Sequence, residues 1–97
     1  MVRRRFDHLH VELSVAVGQL VPRYALWLYL QERGWDPDRL SRSAAISFSR
    51  EHIHDFLSDC ELTLGERAAR RLTRALERFD PRYPTPDEVM TRLFSPR

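Results

Sequence analysis

The chain has 97 residues, a formal net charge of +2 and 42% hydrophobic residues. This length limits it to one small domain with one modest core, and the hydrophobic content argues against global disorder. All 16 residues counted as Lys or Arg are arginine, and asparagine is absent as well. Because a GC-rich coding sequence replaces both lysine and asparagine, the arginine total indicates base composition, and only the positions of the arginines bear on function.

Several kinds of site are excluded by what the sequence lacks. The single cysteine, Cys60, rules out an internal disulfide and a cysteine-based zinc site. Three glycines in all cannot build a glycine-rich phosphate loop. The longest run without an ionisable residue, residues 13–22, is too short to span a membrane. We therefore expect a cytoplasmic protein of bacterial type, with no membrane contact, no metal and no other cofactor.

Charge is distributed unevenly along the chain. Residues 1–35 contain five arginines and three acidic residues. Residues 36–61 contain three arginines and six acidic residues, and residues 62–97 contain eight arginines and five acidic residues. The order is basic, acidic, basic rather than uniformly basic. The expected organisation is a single domain over residues 1–97, in which residues 1–5 form a flexible basic N-terminal arm.

The first segment, residues 8–17, fits two secondary structures. Its apolar residues alternate with polar ones, which is typical of a strand. A different set also fits one face of a helix, which Asp7 would cap, and it consists of Phe6, Leu9, Leu13, Val17 and Leu20. We favour the helix, because a lone strand would have to pair with another chain and nothing else in the sequence has strand character.

The second helix has the clearest boundaries. Pro22 stands at a first-turn position and Gly34 just past the end, the usual asymmetry of helix termini, and Trp35 suits the apolar contact of a Schellman end. Residues 24–30 are apolar on every face. Such a helix is either central and buried or partly buried against a partner.

The remaining helices are predicted from their capping residues. Ser41 begins a short helix that reaches about residue 48, and Ser49 begins another over about 50–59. Thr63 and Glu66 form a capping box for a helix over about 64–79, and Thr85 precedes a last helix over about 86–94. The prediction is an all-α fold, a compact bundle of five to six short helices.

The helix over 64–79 carries the most distinctive surface. Its arginines fall within an arc roughly 100° wide at helical spacing. They are Arg67, Arg70, Arg71, Arg74 and Arg78. Such a stripe can follow a phosphate backbone, clamp acidic side chains of a protein, or simply face solvent. The acidic residues Glu51, Asp55 and Asp59 recur at four-residue spacing on the preceding helix, and they could neutralise the stripe within the fold or between two subunits.

Four aromatic residues lie within twelve positions. They are Tyr24, Trp27, Tyr29 and Trp35. Interfaces are enriched in Trp, Tyr and Arg, and a domain of this size has limited interior for such large side chains. These residues are therefore either candidate interface aromatics or part of the core.

The histidines form a near-repeat of acid, histidine, apolar residue, histidine. The two copies are Asp7-His8-Leu9-His10 and Glu51-His52-Ile53-His54. In each copy the acid and the second histidine have the i,i+3 spacing used in carboxylate-bridged di-iron bundles. Further inward carboxylates are scarce, so we expect surface histidines beside carboxylates and no metal site.

Helix spacing across residues 30–79 resembles that of the small helical core-binding domain of tyrosine recombinases. The resemblance runs through Glu32-Arg33-Gly34, Leu40, Phe48, Phe56-Leu57, Arg71-Leu72, Ala75-Leu76 and Phe79. It covers about half of the chain and consists mostly of helix spacing. Generic helical patterning explains it equally well, and we assign no family from it.

We expect no enzyme. Asp59 and Glu61 flank Cys60 and would raise the pKa of its thiol, which argues against a nucleophile. The favoured function is a non-catalytic regulatory or accessory protein that binds another protein, or its own second subunit in a homodimer, through the aromatic helix and the arginine stripe. The alternative is a nucleic-acid-binding (DNA-binding) regulator that uses the arginine stripe.

Overall fold

The computed structural model describes residues 5–79, and every regular element among them is helical. The elements are α1 (Arg5–Val17), α2 (Arg23–Glu32), a 3-10 turn (Pro37–Arg39), α3 (Arg42–Ser47), a π turn (Phe48–His52), α4 (Ile53–Asp59) and α5 (Glu66–Arg78). The all-α prediction is confirmed, and the first segment is a helix rather than a strand. Arg5 belongs to α1 and not to an arm, while residues 1–4 lie outside the described residues.

Residues 42–59 form one continuous helix, which we call the rod. The α3 segment passes into the π turn and then into α4 without a break. The described residues therefore contain four helices and a 3-10 turn, fewer than the five to six predicted. The last predicted helix, over about 86–94, lies outside the described residues.

The predicted cap at Ser49 is wrong, because the chain does not restart there. Ser49 is buried inside the π turn. Its hydroxyl donates to the carbonyl of Ile46 at 2.8 Å and contacts the Thr73 hydroxyl of α5 at 3.0 Å. These two contacts satisfy the serine within the folded core, so the helix can run through it.

Two further predicted caps are also wrong, and one is confirmed. Asp7 lies within α1, where its carboxylate pairs with Arg23. Gly65 is the N-cap of α5 and makes no side-chain capping bond, so the capping box of Thr63 does not form. The Ser41 hydroxyl accepts a hydrogen bond from the N–H of Ala44 at 3.1 Å, as expected of a cap.

The end of α2 is confirmed as a Schellman motif. Gly34 has a φ of +86°, a left-handed conformation that glycine adopts without strain. The N–H of Gly34 donates to Gln31 O at 3.0 Å, and the N–H of Trp35 donates to Leu30 O at 3.1 Å. This pair of bonds satisfies two of the carbonyls that the helix end leaves free.

The core lies where α1, α2, the rod and α5 meet. Its fully buried large apolar side chains are Leu9, Leu13, Val21, Leu26, Leu30, Phe48, Ile53, Leu57 and Leu76. Burial of each such side chain contributes roughly 1.5–3 kcal/mol. Both α1 and the rod pack against α5, which fixes one side of α5 to the core and leaves its other side facing outward.

Helix α2 is partly buried within residues 5–79, and whether a partner covers its exposed side stays a prediction. Leu26, Tyr29 and Leu30 face the core, whereas Tyr24 is 71% exposed and Trp27 is half-buried. No helix within residues 5–79 has the length and apolar character needed to cross a membrane.

Candidate functional site

The predicted arginine stripe is an outward-facing surface of α5. Leu72 and Leu76 on the inner side of this helix are buried. Five arginines are exposed on the outer side, and we call them the arginine face. They are Arg67, Arg70, Arg71, Arg74 and Arg78. A helix of this length spans about 20 Å, so the guanidinium groups cover a long, narrow surface.

Within residues 5–79, no carboxylate lies within ion-pair distance of a residue of the arginine face. The Nε of Arg78 donates to the carbonyl of Arg74 at 3.4 Å, a contact along the helix that leaves the positive charge uncompensated. The two acidic residues of α5 are Glu66 and Glu77, and Glu77 pairs with Arg50 of the rod instead. Among the described residues, the charge of the arginine face is therefore not neutralised.

The acidic residues of the rod, which were one candidate for neutralising the arginine face, form no ion pair with it. Glu51, Asp55 and Asp59 are all exposed on the rod. Asp55 accepts hydrogen bonds from the Tyr29 hydroxyl at 2.8 Å and from Arg33 at 3.4 Å, both on α2. Among the described residues, the two charged stripes thus do not meet within the fold.

A groove separates α5 from the rod. Its rod side carries Ser49, Arg50 and His54, and its α5 side carries Ala69, Arg70, Thr73, Arg74 and Glu77. The groove has a volume of about 450 Å³ and opens to solvent. Two members of the arginine face, Arg70 and Arg74, line it, so the outward surface continues into a concave one.

Arginines of the rod extend this basic region. The Nη2 of Arg50 donates to Glu77 Oε1 at 2.9 Å, and Arg42 donates to the Glu77 carbonyl at 3.1 Å. Neither arginine was singled out from the sequence, because each stands alone in the acidic middle segment. Their spacing of eight residues would have placed them on one helix face, had the rod been read as continuous.

The four aromatic residues do not form one surface. Tyr29 is buried and packs edge to face against Phe48 at 5.8 Å and against Phe56 at 5.3 Å between ring centroids. Burial, followed by its hydrogen bond to Asp55, raises the pKa of the Tyr29 hydroxyl. This residue belongs to the core.

The remaining three aromatics divide between two places. Trp35 is half-buried against His52, 5.5 Å between ring centroids. Tyr24 and Trp27 stack at 6.3 Å and line a second shallow pocket together with Phe6 and Arg23. Of the four aromatics, Tyr24 is exposed, Trp27 and Trp35 are half-buried, and Tyr29 is buried.

The two histidine motifs lie in different surroundings. His8 is 1% exposed and stacks on Phe79 with ring centroids 3.9 Å apart. His10 is buried, and its Nε2 hydrogen-bonds the Val21 carbonyl at 2.7 Å. The expectation of surface histidines is therefore wrong for the first motif, whereas His54 of the second is exposed. Residues 5–79 contain no group of three or more histidine, cysteine or acidic side chains placed to hold a metal ion.

Cys60 forms the C-terminal cap of α4. Burial, and then the negative charge of Asp59, raises the pKa of its thiol, in the direction expected from the sequence. A thiol held protonated at neutral pH is a poor nucleophile.

Comparison with known proteins gives no relative: no family model, no curated protein and no solved structure matches the chain. The similarity in helix spacing to recombinase core-binding domains thus identifies no family.

Proposed function

We propose that this protein is a non-catalytic regulatory or accessory protein that binds an acidic segment of another protein through the arginine face. The observation that carries the proposal is the row of exposed arginines that no carboxylate of residues 5–79 neutralises. Guanidinium groups bind carboxylates through paired, charge-assisted hydrogen bonds. Because the core holds the inner side of α5, these side chains project from a preformed support.

The aromatic helix has a smaller part in this proposal than the sequence suggested. Tyr24 and Trp27 remain available for contact, and Arg23 lies over the ring of Phe6 beside them. Other apolar side chains of α1 and of the turn before α2 are exposed as well, among them Val15 and Leu20. A second copy of the chain is the partner that we propose for this surface, which would make the protein a homodimer.

Nucleic acid is the second candidate partner. The uncompensated charge along about 20 Å of α5 suits a phosphate backbone. Against it, residues 5–79 contain eleven arginines and eleven acidic residues, so the described domain has no overall positive charge to attract a polyanion from a distance.

The two candidate partners, an acidic protein and a nucleic acid, are compared by immobilising the full chain and capturing what binds it from the native lysate. The test variant is Arg67→Gln/Arg71→Gln/Arg78→Gln, and the matched control is Arg39→Gln, an exposed arginine of the 3-10 turn. We expect the unmodified chain and the Arg39→Gln control to capture an acidic protein that the triple variant does not capture. Nuclease treatment should leave this capture unchanged. Capture that nuclease abolishes would favour nucleic acid, and equal capture by the triple variant would contradict both candidates.

A further inference from the structure

The groove between the rod and α5 has the features of an anion site. Arg50 comes from the π turn, and Arg70 and Arg74 come from α5, so guanidinium groups enter it from both walls. Turns of π-helix are rare and often occur at functional sites. Here the π turn brings Arg50 to the groove and Ser49 against Thr73.

The two hydroxyl groups of the groove are each hydrogen-bonded within their own wall. The Ser49 hydroxyl donates to Ile46 O, and the Thr73 hydroxyl donates to Ala69 O at 3.2 Å. Both are therefore engaged with the protein backbone, and the donors left for a ligand are those of the arginines. Three guanidinium groups against one carboxylate, that of Glu77, give the groove an excess of positive charge.

We propose that this groove binds the phosphoryl group of a phosphorylated serine or threonine in the partner protein. The inference rests on the proposed function, since it specifies what the acidic partner carries. A phosphoryl group presents nearly two negative charges and three acceptor oxygens, and clusters of arginine are the usual means of recognising it. Three arginines around one concave site suit such a compact dianion better than a single carboxylate.

A phosphorylated peptide fits the observations better than a nucleic acid does. The groove is one local, solvent-open depression of about 450 Å³, not a continuous track for successive phosphates. Its Glu77 would also repel a backbone that carries a charge at every step. A single phosphoryl group has to displace the Glu77 carboxylate from Arg50 only once. In the free protein, Glu77 Oε1 lies 2.9 Å from Arg50 Nη2.

The test measures fluorescence anisotropy of three labelled peptides on the full chain. The peptides share one glutamate-flanked sequence and differ at a central serine, glutamate or phosphoserine. The readout is the affinity for the phosphoserine peptide divided by that for the glutamate peptide. We expect a ratio of about ten or more for the unmodified chain, because the dianion makes additional charge-assisted hydrogen bonds.

Variants test whether the preference for the phosphoserine peptide arises in the groove. Arg50→Gln and Arg74→Gln each bring the ratio close to one, whereas Arg71→Gln, outside the groove, weakens all three peptides and leaves the ratio unchanged. Glu77→Gln raises the ratio about threefold, because it removes the competing carboxylate. Thermal melting followed by circular dichroism checks that each variant is folded, and Glu77→Gln tests the groove by a gain that an unfolded chain cannot give.

Each other outcome has a definite meaning. Equal affinity for the glutamate and phosphoserine peptides would overturn the phosphoryl site while leaving the proposed acidic partner in place. No binding of any peptide would overturn both. A short DNA duplex that binds more tightly than the phosphoserine peptide and competes with it would overturn the assignment in favour of nucleic acid. A Glu77→Gln variant with an unchanged or lower ratio would show that the phosphoryl group does not reach Arg50.

Discussion

The Ser49 hydroxyl in the π turn contacts the Thr73 hydroxyl of α5 at 3.0 Å. This contact joins the rod to the helix that carries the arginine face, at the base of the groove between them. The two hydroxyls thus lie where the helix of the arginine face meets the rod.

Replacing Ser49 should destabilise the protein. Ser49→Ala removes a buried hydroxyl and leaves Ile46 O and Thr73 Oγ1 with one contact fewer, at a cost of about 1–2 kcal/mol. Urea unfolding of Ser49→Ala, Thr73→Val and the double variant measures this cost. We expect the two substitutions to be non-additive, since the residues contact each other. Additive costs would show that the hydroxyl pair contributes nothing of its own.

Glu61 occupies a position suited to glycine. Its φ is +58°, and the bond from Leu62 N–H to Leu57 O at 2.8 Å closes a Schellman end after α4. Glu61→Gly should stabilise the protein by about 0.5–1 kcal/mol, because glycine adopts the left-handed conformation without strain. Glu61→Ala is the control, since it removes the charge but retains the strain. Equal melting temperatures for the glycine and alanine variants would contradict the prediction.

His10 anchors α1 to the turn that precedes α2. Its Nε2 bonds the Val21 carbonyl at 2.7 Å in a buried place. His10→Leu should therefore cost about 1–3 kcal/mol, because it leaves a buried carbonyl without this partner. Exposed His54→Leu should change the free energy of unfolding little, and the comparison is made by urea titration. Equal losses for the two variants would mean that the bond has no stabilising role.

Cys60 should react slowly with thiol reagents at neutral pH. Burial and the charge of Asp59 raise the pKa of the thiol, and only the thiolate is nucleophilic. The rate of alkylation by iodoacetamide should therefore increase as pH rises, and should reach its plateau at a higher pH than for a free cysteine. Asp59→Asn should shift the curve to lower pH. A curve that matches free cysteine would contradict the prediction.

The exposed apolar side chains of α1, of α2 and of the turn that joins them predict self-association. Val15, Leu20 and Tyr24 are each at least 71% exposed. Light scattering across a concentration series should therefore show a homodimer, and Leu20→Glu/Tyr24→Glu should convert it to a monomer with an unchanged helical spectrum. Arg39→Glu provides a control for added charge. A monomer at every concentration of the unmodified chain would rule out this contact.

The sequence predicts those parts of the fold that local chemistry determines. Gly34 ends α2 because its left-handed backbone is a local requirement, and the arginine face follows from helical periodicity alone. The break predicted at Ser49 fails because Thr73, distant in sequence, satisfies the serine in the folded state. Thr63 is not the cap, because α5 begins at Glu66 and Gly65 takes the N-cap position.

Only the part of the candidate site that follows from local helical spacing could be predicted from the sequence. Five arginines on one helix are visible as a pattern, but Arg50 becomes part of the site only when the rod packs against α5. The burial of His8 likewise depends on Phe79, which the fold brings over its ring. These features arise from tertiary contacts that the spacing of residues in the sequence does not encode.

Chemical-shift mapping tests the role of the arginine face most directly. The isotopically labelled full chain is titrated with a short polyglutamate peptide, and the amide signals are followed in two-dimensional spectra. The proposal predicts that the largest shifts fall on residues 66–78 and on Arg50, and that Arg67→Gln/Arg71→Gln/Arg78→Gln reduces them. Largest shifts around Glu51, Asp55 and Asp59, or no shifts at all, would contradict the proposal that the arginine face receives an acidic partner.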